Sequence, residues 1–367
     1  MRTVGVEEEF LVVDAHLDDS RPTAAEVLQL ATPLVGNAPD ELGSLVAELK
    51  QQQLEANTSP HDTMESLQAE LVSWRAKASS AAQRGGALLM ASGTSPVPVV
   101  PLAVHSERYD RMTQQFGMMA REHLTCGCHV HVAVDSDEEA VGVLDRIRTW
   151  LPPLLALSAN SPLWQGADSD YASYRSQVMD RWPAAGPYDV FGSADGYRTA
   201  VDRLIATGVL IDEGMVYFDA RSSAHHPTVE IRVADVCLDV GDTVLIAALS
   251  RALVETAAQE WAGGVPAPEA STQLLRVATW QAARWGTQGD LIDPLTFKPA
   301  TAREVVATLV DHVRPALRAA GDERRVDNRV ERLFALGNGA VRQREVFRDS
   351  GLNAVVDLLV KETVAAP

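Results

Sequence analysis

The stretch Thr3-Val4-Gly5-Val6-Glu7-Glu8-Glu9-Phe10-Leu11-Val12-Val13 decides how the rest of the chain reads. Its β-branched and aromatic residues favour a strand, and side chains alternate faces along a strand. Gly5, Glu7 and Glu9 then share one face, while Val4, Val6, Phe10 and Val12 share the other. A single stripe of charge is ordinarily a solvated face. Here a bound cation is the competing explanation, because three later strands carry other polar groups in the same alternation. Parity puts Glu8 on the apolar side, where an unpaired carboxylate is costly. It is expected at a sheet edge or beside an arginine, and not as a ligand.

Working outward, residues 45–57 end in Gln51-Gln52-Gln53-Leu54-Glu55-Ala56-Asn57, read as a strand with Gln53, Glu55 and Asn57 on one face. Residues 124–135 place Thr125, Gly127, His129 and His131 on one face and Cys126, Cys128, Val130 and Val132 on the other. Residues 215–222 and 228–236 read as a strand pair, with Tyr217, Asp219, Arg221, Glu230 and Arg232 opposed to Val216, Phe218, Val229 and Ile231. Residues 87–93 form a buried strand. Helices are expected at 23–35, 108–123, 136–159 and 195–207. Another is opened by Asp62-Thr63-Met64-Glu65 as a capping box and closed by Gly85-Gly86. From residue 242 onward the pattern is almost wholly helical. The loop-rich region 161–192 carries Trp164, Tyr171, Tyr174, Arg175 and Trp182, which suits a lid or substrate loop.

The expected fold class is therefore α+β: a mixed, largely antiparallel sheet with helices packed on its aliphatic face and a helical C-terminal layer. A single catalytic unit spanning 1–367 is expected. Its sheet-containing core, 1–262, joins a helical part, 270–367, through Gly263-Gly264-Val265-Pro266-Ala267-Pro268. At 46% hydrophobic and 22% charged, the chain can bury a large core. A net charge of −18 argues against nucleic acid and anionic membranes as partners. No stretch is long and apolar enough for a membrane span. Neither a basic n-region nor a long apolar h-region follows Met1, so a cytoplasmic location is expected. Three cysteines make no disulfide framework, and Cys126-x-Cys128 lacks the second pair that a zinc site needs.

The polar face collects Glu7, Glu9, Glu55, His129, Glu230, Arg221 and Arg232. Like charges about 4 Å apart repel by roughly 4 kcal/mol at an effective dielectric of 20, so clustered glutamates need cations. Carboxylate oxygens suit Mg²⁺, and one imidazole among them leaves room for Mn²⁺. Such metals are commonly shared with substrate phosphates, which a nearby arginine pair also suits. A His-x-His pair is as readily two hydrogen-bonded core residues as two ligands. Neither a Walker A sequence nor a Gly-x-Gly-x-x-Gly after a strand is present, so a nucleotide would bind through metal and arginine contacts on the sheet.

Several blocks together resemble the carboxylate–amine ligases of the glutamate–cysteine ligase type 2 family. They are Gly5-Val6-Glu7-Glu8-Glu9-Phe10, Cys126-Gly127-Cys128-His129-Val130-His131-Val132, Leu157-Ser158-Ala159-Asn160-Ser161-Pro162, Tyr171-Ala172-Ser173-Tyr174-Arg175, Met215-Val216-Tyr217-Phe218-Asp219 and Thr228-Val229-Glu230-Ile231-Arg232-Val233-Ala234-Asp235. They occur in order over nearly the whole chain and fade after about residue 286. The resemblance implies a glutamine-synthetase-like fold with a curved antiparallel sheet under the active site. It implies ATP-dependent joining of L-glutamate to L-cysteine, or to another amine, through an acyl phosphate. It also implies divalent metals on Glu7, Glu9, Glu55, His129 and Glu230, phosphate on Arg232, and phosphate or substrate carboxylate on Arg175 and Arg221. A homodimer is what the resemblance implies for assembly. The competing classes are a metal-dependent hydrolase built on His129 and His131, and a nucleotide-binding protein without turnover. Release of ADP separates the ligase from the first of these.

Overall fold

The computed structural model of the protein describes residues 1–14, 24–31 and 43–365. Its main sheet is built from β1 (Val4–Asp14), β2 (Ser44–Ala47), β3 (Gln53–Asn57), β4 (Ala87–Met90) and β5 (Gly127–Ala133). A two-stranded hairpin of β6 (Leu163–Trp164) and β7 (Ala167–Asp168) lies apart from it, and β8 (Ala220–Ser222) and β9 (Thr228–Asp235) complete it. The order across the sheet is β2-β3-β1-β5-β9-β8, with β4 paired to the far end of β1. Every ladder is antiparallel. The register sets Glu7 opposite His129, Glu9 opposite Glu55, His131 opposite Glu230 and Arg221 opposite Glu230. A bulge between Cys128 and Val130 shifts the β5–β9 register, the kind of local irregularity that re-aims side chains beside functional sites.

Fourteen α-helices are described around the sheet. They are α1 (Ala24–Ala31), α2 (Met64–Arg84), α3 (Glu107–Phe116), α4 (Met118–Glu122), α5 (Asp137–Ile147), α6 (Leu151–Ser158), α7 (Tyr174–Met179), α8 (Ala194–Ala206), α9 (Val240–Ala262), α10 (Thr272–Trp285), α11 (Ala302–Ala320), α12 (Glu323–Leu336), α13 (Gly339–Ser350) and α14 (Leu352–Thr363). Val4, Val6, Val130, Val132, Val229 and Ile231 from the strands pack with Leu67 and Leu71 of α2, Leu144 of α5 and Leu245 and Leu249 of α9. Burying each such side chain contributes about 1.5–3 kcal/mol. The same core reaches Leu309 and Val313 of α11 and Leu333 of α12, while Val355 and Leu359 of α14 pack with Phe10, Leu54 and Leu89. Helix α9 is apolar on every side because it lies in the middle of this layer, with Val240–Val254 buried.

Glu8 meets the core through an arginine. Arg75 of α2 grips it with Nε at 2.9 Å and Nη2 at 2.5 Å, and Thr243 donates to the same carboxylate at 2.7 Å. The guanidinium also donates to the carbonyls of Cys237 and Leu238. Both charges are 1% exposed. The pair ties β1 to two helices where parity turns Glu8 inward.

Several elements depart from the sequence reading. Residues 45–57 form a hairpin of two strands, β2 and β3, and not one strand. The helix expected at 108–123 breaks at Gly117, whose φ of 59° falls in the region that favours glycine. The helix expected at 136–159 is interrupted by a 3-10 turn at Arg148–Trp150, where Pro152 and Pro153 open a new helix. Thr63, and not Asp62, caps α2, its side chain accepting from the Ser66 N–H. Only Ala220–Ser222 of the strand expected at 215–222 joins the ladder. A small hairpin of β10 (Asp290–Ile292) and β11 (Pro299–Thr301) sits inside the region read as helical. The helix expected at 23–35 is described over Ala24–Ala31, and the remainder lies outside the described residues. Among the described residues no helix is long and apolar enough to cross a membrane.

Candidate metal and substrate site

The polar face of the sheet carries two groups of potential ligands. In the first, one ligand atom from each of Glu7, His131 and Glu230 lies within 4.8 Å of the others; in the second, the same holds for Glu9, Glu48 and Glu55. They are neighbours because Glu7 and Glu9 are consecutive same-face residues of β1, roughly 7 Å apart along the strand.

The two groups differ in charge balance. Glu7 lies between two imidazoles, with His129 Nδ1 3.0 Å and His131 Nε2 3.1 Å from its oxygens. Burial alone would raise the Glu7 carboxyl, yet bonding to His129 and His131 holds it well below the usual range. Glu230 is 2% exposed and is gripped by Arg221, at 2.6 Å through Nε, and by Arg232 Nη1. Burial is outweighed by Arg232 and Arg221, which hold it at about 2. The first group is therefore ionised as it stands. His131 is lowered by burial but raised more by Glu7, and its Nδ1 sits 2.9 Å from the Thr228 hydroxyl. Burial and Arg232 instead keep His129 low, hence neutral.

Among the described residues the second group forms no direct ion pair, although Arg175 stands near Glu9. Glu9 accepts a hydrogen bond from the Gly127 N–H at 2.5 Å. Burial raises its carboxyl, with Glu48 adding to the effect and His129 and Arg175 only partly opposing it. Burial pushes Glu55 well above the usual range, reinforced by Glu7, Glu48 and Glu9. Three carboxylates this close, one accepting a main-chain N–H, form an all-oxygen donor set of the kind that holds Mg²⁺ or Mn²⁺.

Two cavities meet at this face. The smaller, about 250 Å³, is lined by Glu9, Glu48, Glu55, Gln53, His129 and Arg232 among others. The larger, about 860 Å³, is lined by Glu7, His131, Arg221 and Glu230 from the sheet and by Asp137, Val141, Ala194, Tyr197, Arg198 and Val201 from two helices. Glu7, Arg108, Gly214 and Arg221 line both, so they form the wall between them.

Each residue expected in the site lies on or beside this face, in differing roles. Glu7, Glu9, Glu55 and Glu230 fall in the two ligand groups. His129 sits between them, 3.0 Å from Glu7 and 3.9 Å from Glu230, whereas the histidine grouped with ligand atoms is His131. Arg221 and Arg232 converge on Glu230. Arg175 lines the smaller cavity but donates to the carbonyls of Arg232 and Val233 at 3.3 Å, bracing β9. A side chain at Gly127 would collide with it, a Cβ there lying 2.3 Å from Nη2. Two contributors escaped the sequence reading. Glu48 sits in the turn after β2. Arg108 of α3 is held by Asp212, at 2.6 and 2.9 Å, against both cavities. Asp212 lies more than a hundred residues from Arg108 in the chain, and no local signal joins them. The buried thiols of Cys126, Cys128 and Cys237 are not part of either ligand group.

A sheet floor, two acidic groups and the arginines converging on Glu230 beside two cavities make up the candidate site. The model of glutamate-cysteine ligase family 2 matches residues 3–355, and the chain belongs to that family. A Streptomyces coelicolor protein named "Putative glutamate--cysteine ligase 2" is 50% identical over 367 residues, covering all of both chains. A Frankia alni protein named "Putative glutamate--cysteine ligase 2-2" is 50% identical over 372 residues, covering 99% of this chain and 97% of its own. Among solved structures, the Francisella tularensis glutamate–cysteine ligase in complex with AMP aligns with a TM-score of 0.67 at 14% identity, over 99% of this chain and 88% of its own. A bifunctional glutathione synthetase from Pasteurella multocida aligns with a TM-score of 0.69 at 14% identity, over 99% of this chain and 52% of its own. These two structural likenesses establish a shared fold.

Proposed function

We propose that the protein is an ATP-dependent carboxylate–amine ligase that joins the γ-carboxylate of L-glutamate to the amine of L-cysteine. The observation that carries this reading is the shared wall: Glu7 and Arg221 border both cavities, with a ligand group on either side. A ligase of this kind must bring a nucleotide phosphate and a carboxylate to one point from two directions.

The larger cavity suits the nucleotide, with Val141, Ala194 and Val201 available to the base and Arg108 and Arg221 to phosphates. The smaller suits an amino acid. Glu7, His131 and Glu230 would hold one divalent ion, and Glu9, Glu48 and Glu55 another, with His129 fixing the Glu7 carboxylate. Mg²⁺ fits both donor sets, and Mn²⁺ fits the imidazole-containing one. Bound there, the ions supply neutralisation of charge on the transferring phosphoryl group.

The chain's own part is positioning and electrostatics. Arg232 and Arg221, held by Glu230, offer planar donors that bridge two phosphate oxygens. The glutamate carboxylate attacks the γ-phosphorus, forming an acyl phosphate and releasing ADP. The amine then attacks the acyl carbon, the bond to phosphate breaks, and an amine proton leaves with the phosphate. No protein nucleophile is required. The test is ADP release over a panel of amino acids and amines, with products identified by mass spectrometry. Glutamate with cysteine should give an amide and one ADP per amide. ADP release without any amide would refute the ligase reading.

A further inference from the structure

Gln53 lies one same-face step beyond Glu55 on β3, opposite Leu11, at the end of the smaller cavity away from Glu7. It is 3% exposed. Its Nε2 donates to the Thr125 carbonyl at 2.7 Å, which fixes the amide orientation, since a carbonyl can only accept. The other amide atom, Oε1, has no hydrogen-bond partner. A buried amide oxygen left in this state is costly, and native proteins rarely tolerate one without a bound group to fill it.

None of the neighbours donates to it. Glu9 and Glu48 are acceptors when ionised, and Glu55, whose carboxyl burial holds high, makes no bond to Oε1. His123 is held neutral by burial, down to about 3. Its Nδ1 accepts from the Trp182 indole at 3.2 Å, so its single N–H faces the Thr125 hydroxyl at 3.3 Å. Lys50 is nearby in sequence but donates to the carbonyls of Ala120 and Arg121. The donors of His123 and Lys50 are thus committed elsewhere, and Arg175 Nε, which also lines the cavity, has no partner and makes no bond to Oε1. What remains is an acceptor beyond an acidic group, an environment that favours a cationic N–H over a hydroxyl.

We propose that Gln53 is a specificity-determining residue whose Oε1 receives the ammonium of the amino-acid carboxylate donor. This rests on the ligase reading and on the smaller cavity taking the donor. The geometry suits a donor whose reacting carboxylate sits by Glu7 and Glu9 and whose ammonium points along β3. The row from Glu7 past Glu9 to Leu11, the partner of Gln53, spans roughly 13 Å. An extended five-carbon amino acid and one metal ion together fill such a row.

The experiment pairs two ligands with three proteins. Binding of L-glutamate and of glutarate, which lacks the ammonium, is measured by calorimetry with Mg²⁺ and a non-hydrolysable ATP analogue. The proteins are the wild type, Gln53→Met and Gln53→Glu, each first checked by thermal unfolding. The wild type should prefer glutamate, and Gln53→Met should weaken glutamate by about 10- to 100-fold while leaving glutarate within twofold. Gln53→Glu, which keeps an acceptor, should retain the preference. Should Gln53→Met fail to fold, loss of the preference in Gln53→Glu would overturn the assignment. An unchanged glutamate-to-glutarate ratio in Gln53→Met would also overturn it, leaving a water as the partner of Oε1. ADP release is measured on the same wild-type preparation. Absence of turnover with every amino acid would sink the ligase reading itself, whereas turnover with an unchanged ratio sinks only the role of Gln53.

Discussion

Replacing Glu55 by Gln should stabilise the metal-free protein and, at the same time, remove much of its response to Mg²⁺. Ligand atoms of Glu9, Glu48 and Glu55 lie within 4.8 Å of one another, where a pair of unit charges repels by about 3.5 kcal/mol at an effective dielectric of 20. The raised Glu55 carboxyl already relieves part of this by holding its proton, so a gain of about 1.5–3 kcal/mol is expected. Spread over 367 residues, each kcal/mol moves the melting temperature by about 1.3 °C, giving a rise of about 2–4 °C. The sign in pH follows from the direction of the shift. Burial and the neighbouring carboxylates raise Glu55 above its unfolded value of 4.5. Its contribution is therefore complete below that value and is lost as pH rises through the folded one. Gln carries no such proton, so the advantage of the variant should grow from pH 5 to pH 8. With Mg²⁺ at a hundred times its dissociation constant, the wild type should regain about 2.7 kcal/mol, and Glu55→Gln much less. Thermal unfolding in chelator and in Mg²⁺ at both pH values reads all of these. A variant that melts below the wild type in chelator at pH 8, or that gains as much from Mg²⁺, would refute the reasoning.

Three further outcomes are expected. Arg75→Met strands the buried Glu8 carboxylate and should cost about 3–5 kcal/mol in urea unfolding, much of it recovered when Glu8→Leu is added. His131→Ala removes a member of the first ligand group and should weaken Mn²⁺ binding directly, measured by electron paramagnetic resonance. His129→Ala should act mainly by freeing Glu7, and an equal loss of Mn²⁺ in both variants would contradict this division. Arg232→Lys keeps the charge but loses the planar fork, so kcat should fall about a hundredfold or more with the ATP Michaelis constant little changed; an unchanged kcat would confine Arg232 to holding Glu230.

The residues that sequence alone placed well are those whose position follows from the period of a strand. Glu7, Glu9, His129, His131, Glu230 and Arg232 share a face by parity, and the core confirms the opposite face as aliphatic. Glu48 was lost for the same reason. Seven residues before Glu55, it would point to the opposite face of one continuous strand, and only the turn between β2 and β3 brings it round. Nothing in Gln51-Gln52-Gln53 announces that turn, because it lacks the Gly, Asn or Pro that usually marks one. Parity is also blind to register. The bulge in β9, which sets Arg232 and Val233 against the single residue His129, decides which histidine approaches Glu230, and no residue count reveals it. Arg108 depends on a helix and a distant aspartate meeting in three dimensions, which no local pattern encodes. The fold was thus legible where burial imposes a period, and hidden where a turn, a bulge or a long-range pair does the placing.

The claim that matters most is that a carboxylate oxygen passes to phosphate through an acyl phosphate. It is tested by supplying glutamate labelled with ¹⁸O in its γ-carboxylate, together with ATP, Mg²⁺ and cysteine, and weighing the phosphate released. The account predicts one labelled oxygen in the phosphate for each amide formed. Phosphate that carries no label, with its new oxygen drawn from water, would contradict it and make the protein a hydrolase.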